Sequence, residues 1–406
     1  MKSILFCGSG RSAEILKTLH GKYNIYVITE FPNDIGLEYA DKIEVATAKN
    51  PDEAFEAALK LDKEGYKFDA VISLCWDCPM SVARIAKHFN LFGVTPEVAK
   101  NASVKSIRSK LFAEAGVPAP RYKYCNSLEE VKESIKTLKF PIVLKPLALA
   151  GAKGVIRVDN LDELESAYHY CTSFSKESNV IVNEFLDGTE YSTEGLMIDG
   201  RLYMTGISER VFKYKEYKPH FVEIGDIMPV NLSDEEIERF RTVTEKAARA
   251  LDINNGIVKG DLIYTTKKEI CVFELTPRLG GPRFGTEMIP LSNGTNILCA
   301  AIQQALGEDI DYNYLKPQFN KGMVNRGVFP KPGIIKKISG IEEARKMKGC
   351  YDFKWHGDKP YNVGDEIKSP ENMWGAVGYI IATGETREEA IKNADAIEQT
   401  IDIQTY

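Results

Sequence analysis

Two carboxylates and an arginine in residues 256–281, GIVKGDLIYTTKKEICVFELTPRLGG, have the spacing best suited to chemistry. The stretch reads as two strands joined by a polar Thr-Thr-Lys-Lys turn, with Asp261 on the first and Glu274 on the second. Antiparallel pairing brings such acids close together. Thr276 lies two residues beyond Glu274 and on a strand faces the same way. Arg278 follows, then Gly280 and Gly281, where bare backbone can approach a ligand closely. Oxygen donors of this kind suit Mg2+, and a guanidinium fork suits phosphate or carboxylate. Alone, the same residues also describe an exposed hairpin with a surface ion pair.

Upstream residues supply what such a metal site needs. Lys145 ends an apolar strand starting at Pro141, and a small-residue loop, Ala148–Gly154, carries Gly151, Lys153 and Gly154. A strand over Val180–Asn183 runs into Glu184, Phe185 and Leu186, and then Glu190, Ser192 and Glu194 share one face of the next strand. Lysines hold phosphates as point charges, and a small-residue loop offers them backbone N–H groups. An acid at a strand end accepts from ribose hydroxyls or the adenine amine. The order suits ATP with its metal. No GxxxxGK[ST] occurs, which excludes a P-loop kinase.

The elements that position these residues follow from pattern. Ser3–Cys7, the turn at Gly8 and Gly10, a helical pattern through Ala13, Leu16 and Leu19, and a strand over Ile25–Thr29 open a parallel α/β sheet. Gly8, Gly10, Ala13 and Glu30 also fit a loose dinucleotide fingerprint, although a tight strand-to-helix turn needs the same glycines. The strand Ala70–Leu74 ends in Cys75-Trp76-Asp77-Cys78, read as two ordinary cysteines beside an acid placed for substrate. Helix starts are expected at Asn50-Pro51, Ser127, Ser233 and Thr386, the last three as capping boxes. Val211–Phe221 is basic and aromatic, as a substrate-covering loop or a solvated surface would be.

Composition bounds the rest. The 406 residues imply roughly two to three domains at about 100–200 residues each. With 44% hydrophobic and 27% charged residues the chain is of ordinary globular make-up. A net charge of -6 argues against a nucleic-acid surface. No apolar run reaches the ~18–20 residues of a membrane span, and the N-terminus lacks a signal-peptide pattern. Eight cysteines without framework spacing fit a reducing cytoplasm.

Together the motifs resemble the ATP-grasp superfamily, in its carboxylate–amine ligase branch with a biotin-carboxylase-like or L-amino acid ligase-like layout. The resemblance covers nearly the whole chain, and its specificity lies in the order of motifs. It implies an N-terminal parallel-sheet α/β domain over 1–100, an ATP-grasp domain over 101–310 and a C-terminal mixed α+β domain over 311–406. The last includes GYIIATGETREEAIKNA, which resembles the family pattern. By this resemblance Lys105, Lys145, Gly151, Lys153 and Gly154 contact ATP phosphates. Glu184 and the backbone near Leu186 meet adenine, and Glu190 the ribose. Asp261, Glu274 and Thr276 ligate Mg2+, with Mn2+ as a substitute, and Arg278 stabilises the acyl phosphate and the oxyanion formed on attack. The family usually has Glu at the Asp261 position, Asn at the Thr276 position and Asp at the Val104 position.

The implied activity joins a small-molecule carboxylate to an amine, releasing ADP and phosphate, without nucleic-acid or membrane partners and with a homodimer as the layout's common state. Substrate contacts are expected from Asp77, Arg210, Glu223, Gly280, Gly281 and Arg283. Other ATP-grasp chemistry, through carboxyphosphate or phosphotransfer, and dinucleotide binding at the N-terminal glycine turn stand as alternatives.

Overall fold

The computed structural model describes residues 1–406 apart from 10–14, 75, 148–150, 176–177, 282 and 358–359, and apart from the side chains of 214 and 215. Gly10, Ala13, Cys75 and the start of the Ala148–Gly154 loop therefore lie outside the described residues.

Strands β1 (Ser3–Cys7), β2 (Asn24–Thr29), β3 (Lys42–Val45) and β4 (Ala70–Ser73) form a parallel sheet in the order β3-β2-β1-β4. β1 is buried at every position, as continuous apolar strands covered on both faces are. The helix Pro51–Lys63 starts where Asn50 accepts from the Asp52 N–H and proline fills the first turn.

Strands β5 (Tyr122–Cys125), β6 (Ile142–Pro146), β7 (Ile156–Val158) and β8 (Val180–Glu184) form a small antiparallel sheet in the order β5-β8-β6-β7. It sits on its own core of Val131, Leu144, Leu164 and Val182. The main sheet has eight strands. It takes in β9 (Gly188–Ile198), β10 (Arg201–Phe212), β11 (Glu223–Met228), β12 (Gly256–Thr265), β13 (Ile270–Thr276) and β14 (Gly322–Val328). After β15 (Gly333–Ser339) come β16 (Cys350–Trp355), β17 (Glu366–Ile367), β18 (Gly378–Gly384) and β19 (Asp402–Thr405). The order in the main sheet is β13-β12-β9-β10-β11-β14-β18-β16, so its hydrogen bonding runs on past residue 310 into the C-terminal segment. β17-β15-β19 is a separate three-stranded sheet.

One face of β9, β12 and β13 packs on the helix Asp234–Ala250, through Tyr191, Val258, Leu262, Val272 and Leu275 against Phe240 and Ala247. That helix has the full capping box expected of Ser233 and Glu236. Strand alternation turns Glu190, Ser192, Glu194, Lys259, Asp261, Glu274 and Thr276 to the opposite face. Further along that face Leu196 and Ile257 join a core with Phe6, Ile72 and the helix Ile297–Ala305. The parallel sheet is thereby packed against the end of the main sheet. Among the described residues no helix is long and apolar enough to cross a membrane.

Candidate active site

β12 and β13 pair as the sequence requires, with Asp261 directly opposite Glu274. One feature of the hairpin escaped the sequence. Val272 and Glu274 are two apart, which on a regular strand would put both on one face. The register shifts between Asp261 and Leu262, so that Leu262 faces Val272 and Asp261 faces Glu274. Phe273 is the extra residue of this bulge, and it lets Val272 stay in the core while Glu274 enters the site.

Two cross-strand rows result. Ser192, Asp261 and Glu274 form one; Glu194, Lys259 and Thr276 form the next. Ser192 Oγ donates to Asp261 Oδ1 at 2.8 Å, Lys259 Nζ donates to the same oxygen, and Arg210 Nη1 lies 3.5 Å from it. Burial opposes ionisation of Asp261, but Arg210 and Lys259 hold its carboxyl far below the usual range. Burial and Asp261 push Glu274 up, but Arg108, at 3.8 Å, together with Lys105 and Lys259 holds it below its ordinary value. Thr276 is buried.

Cations surround the pair. Lys105 begins the helix Lys105–Glu114 and donates to the Leu147 carbonyl at 3.3 Å; burial lowers its ammonium to about 8, against the pull of Glu274. Lys145, on β6, lies 5.2 Å from the Phe273 ring centroid and is lowered by burial, with Glu190 and Glu274 opposing. Arg210 joins Glu190 at 2.8 Å and Glu223 at 2.5 Å. Burial pushes Glu190 up to about 6 despite Arg210. Asp226, opposite Arg210 on β11, accepts from Ser208 Oγ at 2.8 Å and is raised to about 7 by burial and Glu223.

Arg278 closes the site from the strand end. Its Nε reaches Asp77 at 3.1 Å and its Nη1 the Leu279 carbonyl at 2.8 Å. Behind it, the Gly280 N–H donates to Glu194, whose carboxyl is fully buried and whose Oε1 meets no donor among the described residues. Gly280 and Gly285 both lack the side chain that would collide with that carboxyl. Burial pushes Glu194 up to about 8.

Gly151 and Gly154 both have positive φ, 69° and 70°, and Lys153 between them is exposed. Gly151 lies against the Trp374 indole, and Tyr170 donates to Glu371 at 2.7 Å. Both contacts tie the β5–β8 unit to the segment before β18. Leu186 lies half-buried in the connection from β8 to β9.

Two expected residues are engaged differently. Both carboxylate oxygens of Glu184 are held by Arg121, one by its N–H at 2.7 Å and one by Nε at 2.8 Å. Arg283, expected at the substrate, is buried and ion-paired with Glu287 and, at 2.9 Å, with Asp352 on β16. It braces the turn after Gly281 against the C-terminal strands. Cys78 is buried and raised to about 12, so it is a protonated thiol without thiolate reactivity. At the N-terminal turn, Trp76 packs on the bare Cα of Gly8, where a dinucleotide's pyrophosphate would have to approach.

Arg108 and Lys259 were missed. Each had a signal: Arg108 is three residues after Lys105 on one helix face, and Lys259 is two before Asp261 on one strand face.

A model of the ATP-grasp domain matches residues 138–286, and a model of the L-amino acid ligase C-terminal domain 2 matches residues 327–406. The uncharacterized protein y4rH of Sinorhizobium fredii is 27% identical over 358 residues, 86% of this chain and 71% of that protein. Alanine–anticapsin ligase of Bacillus amyloliquefaciens is 25% identical over 288 residues, 64% of this chain and 60% of that one. Among solved structures, the L-amino acid ligase from Bacillus licheniformis superposes with a TM-score of 0.84 at 20% identity, covering 100% of this chain and 99% of that one. Phosphoribosylglycinamide synthetase from Anaerococcus prevotii gives 0.73 at 25% identity, covering 100% of both. Residues 138–286 thus carry an ATP-grasp domain, and the chain is similar to carboxylate–amine ligases built on that domain, for which ADP-forming ligation through an acyl phosphate is general. Residues 327–406 match the C-terminal domain 2 of the L-amino acid ligases.

Proposed function

We propose that this chain activates a small carboxylate with ATP and joins it to an amine. The observation that carries the reading is the Asp261–Glu274 pair, with Arg108 3.8 Å from Glu274, Lys105 and Lys145 in its electrostatic reach, and Arg278 two residues beyond the end of the same hairpin. A substrate carboxylate oxygen attacks the γ-phosphorus and ADP leaves. The amine lone pair then attacks the acyl carbon, phosphate leaves, and the amine loses a proton.

Lys105 and Lys145 hold the phosphates, with Gly151, Lys153 and Gly154 folding over them. With Glu184 engaged by Arg121, adenine recognition falls to the backbone of 184–186, and the ribose to Glu190. Arg278 stabilises charge on the acyl phosphate and on the tetrahedral oxyanion, held in aim by Asp77. The facing carboxylates of Asp261 and Glu274, beside the Thr276 hydroxyl, fit a hard cation that takes oxygen ligands. Bound Mg2+ would draw charge from the transferring phosphoryl group. Arg210, Glu223 and Asp77 border the space left for the substrates.

The test is ADP release with Mg2+ over a panel of amino acids and small carboxylates, with product analysis. Substrate-dependent ADP together with an amide product is expected. Folded protein giving no substrate-dependent ADP overturns the reading. Carbamoyl phosphate synthase large chains are among the relatives, and ADP formed from bicarbonate without an amide would favour carboxyphosphate chemistry instead.

A further inference from the structure

We infer that Lys259 is a fixed internal cation standing where a second divalent ion would bind, so that the site takes one divalent ion per nucleotide. This rests on the ATP reading above.

Position comes first. Lys259 lies two residues before Asp261 and therefore on the same face. Its register partners are Glu194 and Thr276, and its row adjoins the row of Ser192, Asp261 and Glu274. Its side chain is 12% exposed, and its ammonium donates to Asp261 Oδ1. The cation is thus built into the carboxylate pair.

Ligand capacity comes second. A two-ion site holds its ions about 3.5–4 Å apart, bridged by shared oxygens. Asp261 Oδ1 already receives the Lys259 ammonium and the Ser192 hydroxyl at 2.8 Å, with Arg210 at 3.5 Å. A divalent ion at that oxygen would have to displace the ammonium or sit against it, and like charges at that range repel strongly. The third residue that faces the metal is the neutral Thr276. Among the described residues no group of three His, Cys, Asp or Glu side chains is placed to hold a metal.

Charge balance comes third. Arg108 lies 3.8 Å from Glu274, and Arg210, itself ion-paired with Glu190 and Glu223, lies 3.5 Å from Asp261. With Lys259 already paired to Asp261, the Asp261–Glu274 pair has room for one divalent ion arriving with the nucleotide's negative charge. A lysine ammonium is a compact point charge with three donors, so Lys259 can neutralise a phosphate oxygen as an ion would.

The test counts ions. Bound Mn2+ is measured by the loss of the free Mn2+ electron paramagnetic resonance signal, with a non-hydrolysable ATP analogue whose own binding is measured by equilibrium dialysis. One Mn2+ per bound analogue is expected for the natural chain, and two at saturation for Lys259→Asn. Two in the natural chain, or one in both proteins, overturns the inference. Should Lys259→Asn not fold, Lys259→Met removes the charge at similar volume and replaces it in the comparison. No bound analogue at all would instead overturn the ATP reading beneath.

Discussion

Glu274 and Arg278 carry the heaviest chemical load, with Arg108 3.8 Å from the first and Asp77 3.1 Å from the second. Glu274→Ala and Arg278→Ala are each expected to lower substrate-dependent ADP release by about 10²-fold or more while far-UV circular dichroism is unchanged. Near-normal rates in either variant would show that the site lies elsewhere. Glu194 makes a different prediction. Its folded value, about 8, lies above the usual carboxylate range, with Arg278 and Lys259 only partly offsetting burial. The folded chain therefore binds more protons than the unfolded one between about pH 4.5 and 8, and on this group's account stability falls as pH rises through that window. Glu194→Gln should flatten that fall, read as a smaller drop in thermal midpoint from pH 5 to pH 8.5. A profile identical to that of the natural chain would refute it. Asp261 and Glu274 were legible as a pair because two strands joined by a polar turn bring them opposite each other. Arg108 was not, because a helical arginine reads as solvated until the strands from far along the chain bury it.

At the level of elements, the bulge at Phe273 and the contacts across the glycine loop were invisible in sequence. A bulge is a mismatch between two strands, and neither strand carries it alone. The hairpin itself was legible, since its two apolar runs flank a polar turn. The β5–β8 unit meets the C-terminal segment through Tyr170 with Glu371 and through Gly151 with Trp374, partners separated by some two hundred residues. If these contacts help hold the phosphate-covering loop down, Tyr170→Phe and Trp374→Ala should each raise KM for ATP about 3-fold to 10-fold, the worth of roughly one net hydrogen bond. Steady-state kinetics at saturating co-substrates checks this, and unchanged KM in both would remove the loop from the argument.

For the whole molecule, the opening of the parallel sheet follows from patterns in the sequence, but the joining of β11 to β14 does not. That pairing sets Asp226 opposite Asn325 and Met228 opposite Met323, across a long intervening stretch of chain. A chain ending at Lys321 would leave β11 as an unpaired edge of the main sheet, a template for association. It is expected to elute from size exclusion as aggregate, whereas a monodisperse truncated protein would refute the shared sheet. The same architecture sets two of the three tryptophans beside proposed site residues: Trp76 on the Gly8 turn next to Asp77, and Trp374 on Gly151. The chain therefore contains its own optical probe. Emission excited at the indole band will report occupancy of the pocket without a label, so that a library of acids and amines can be searched by titration before any turnover is known.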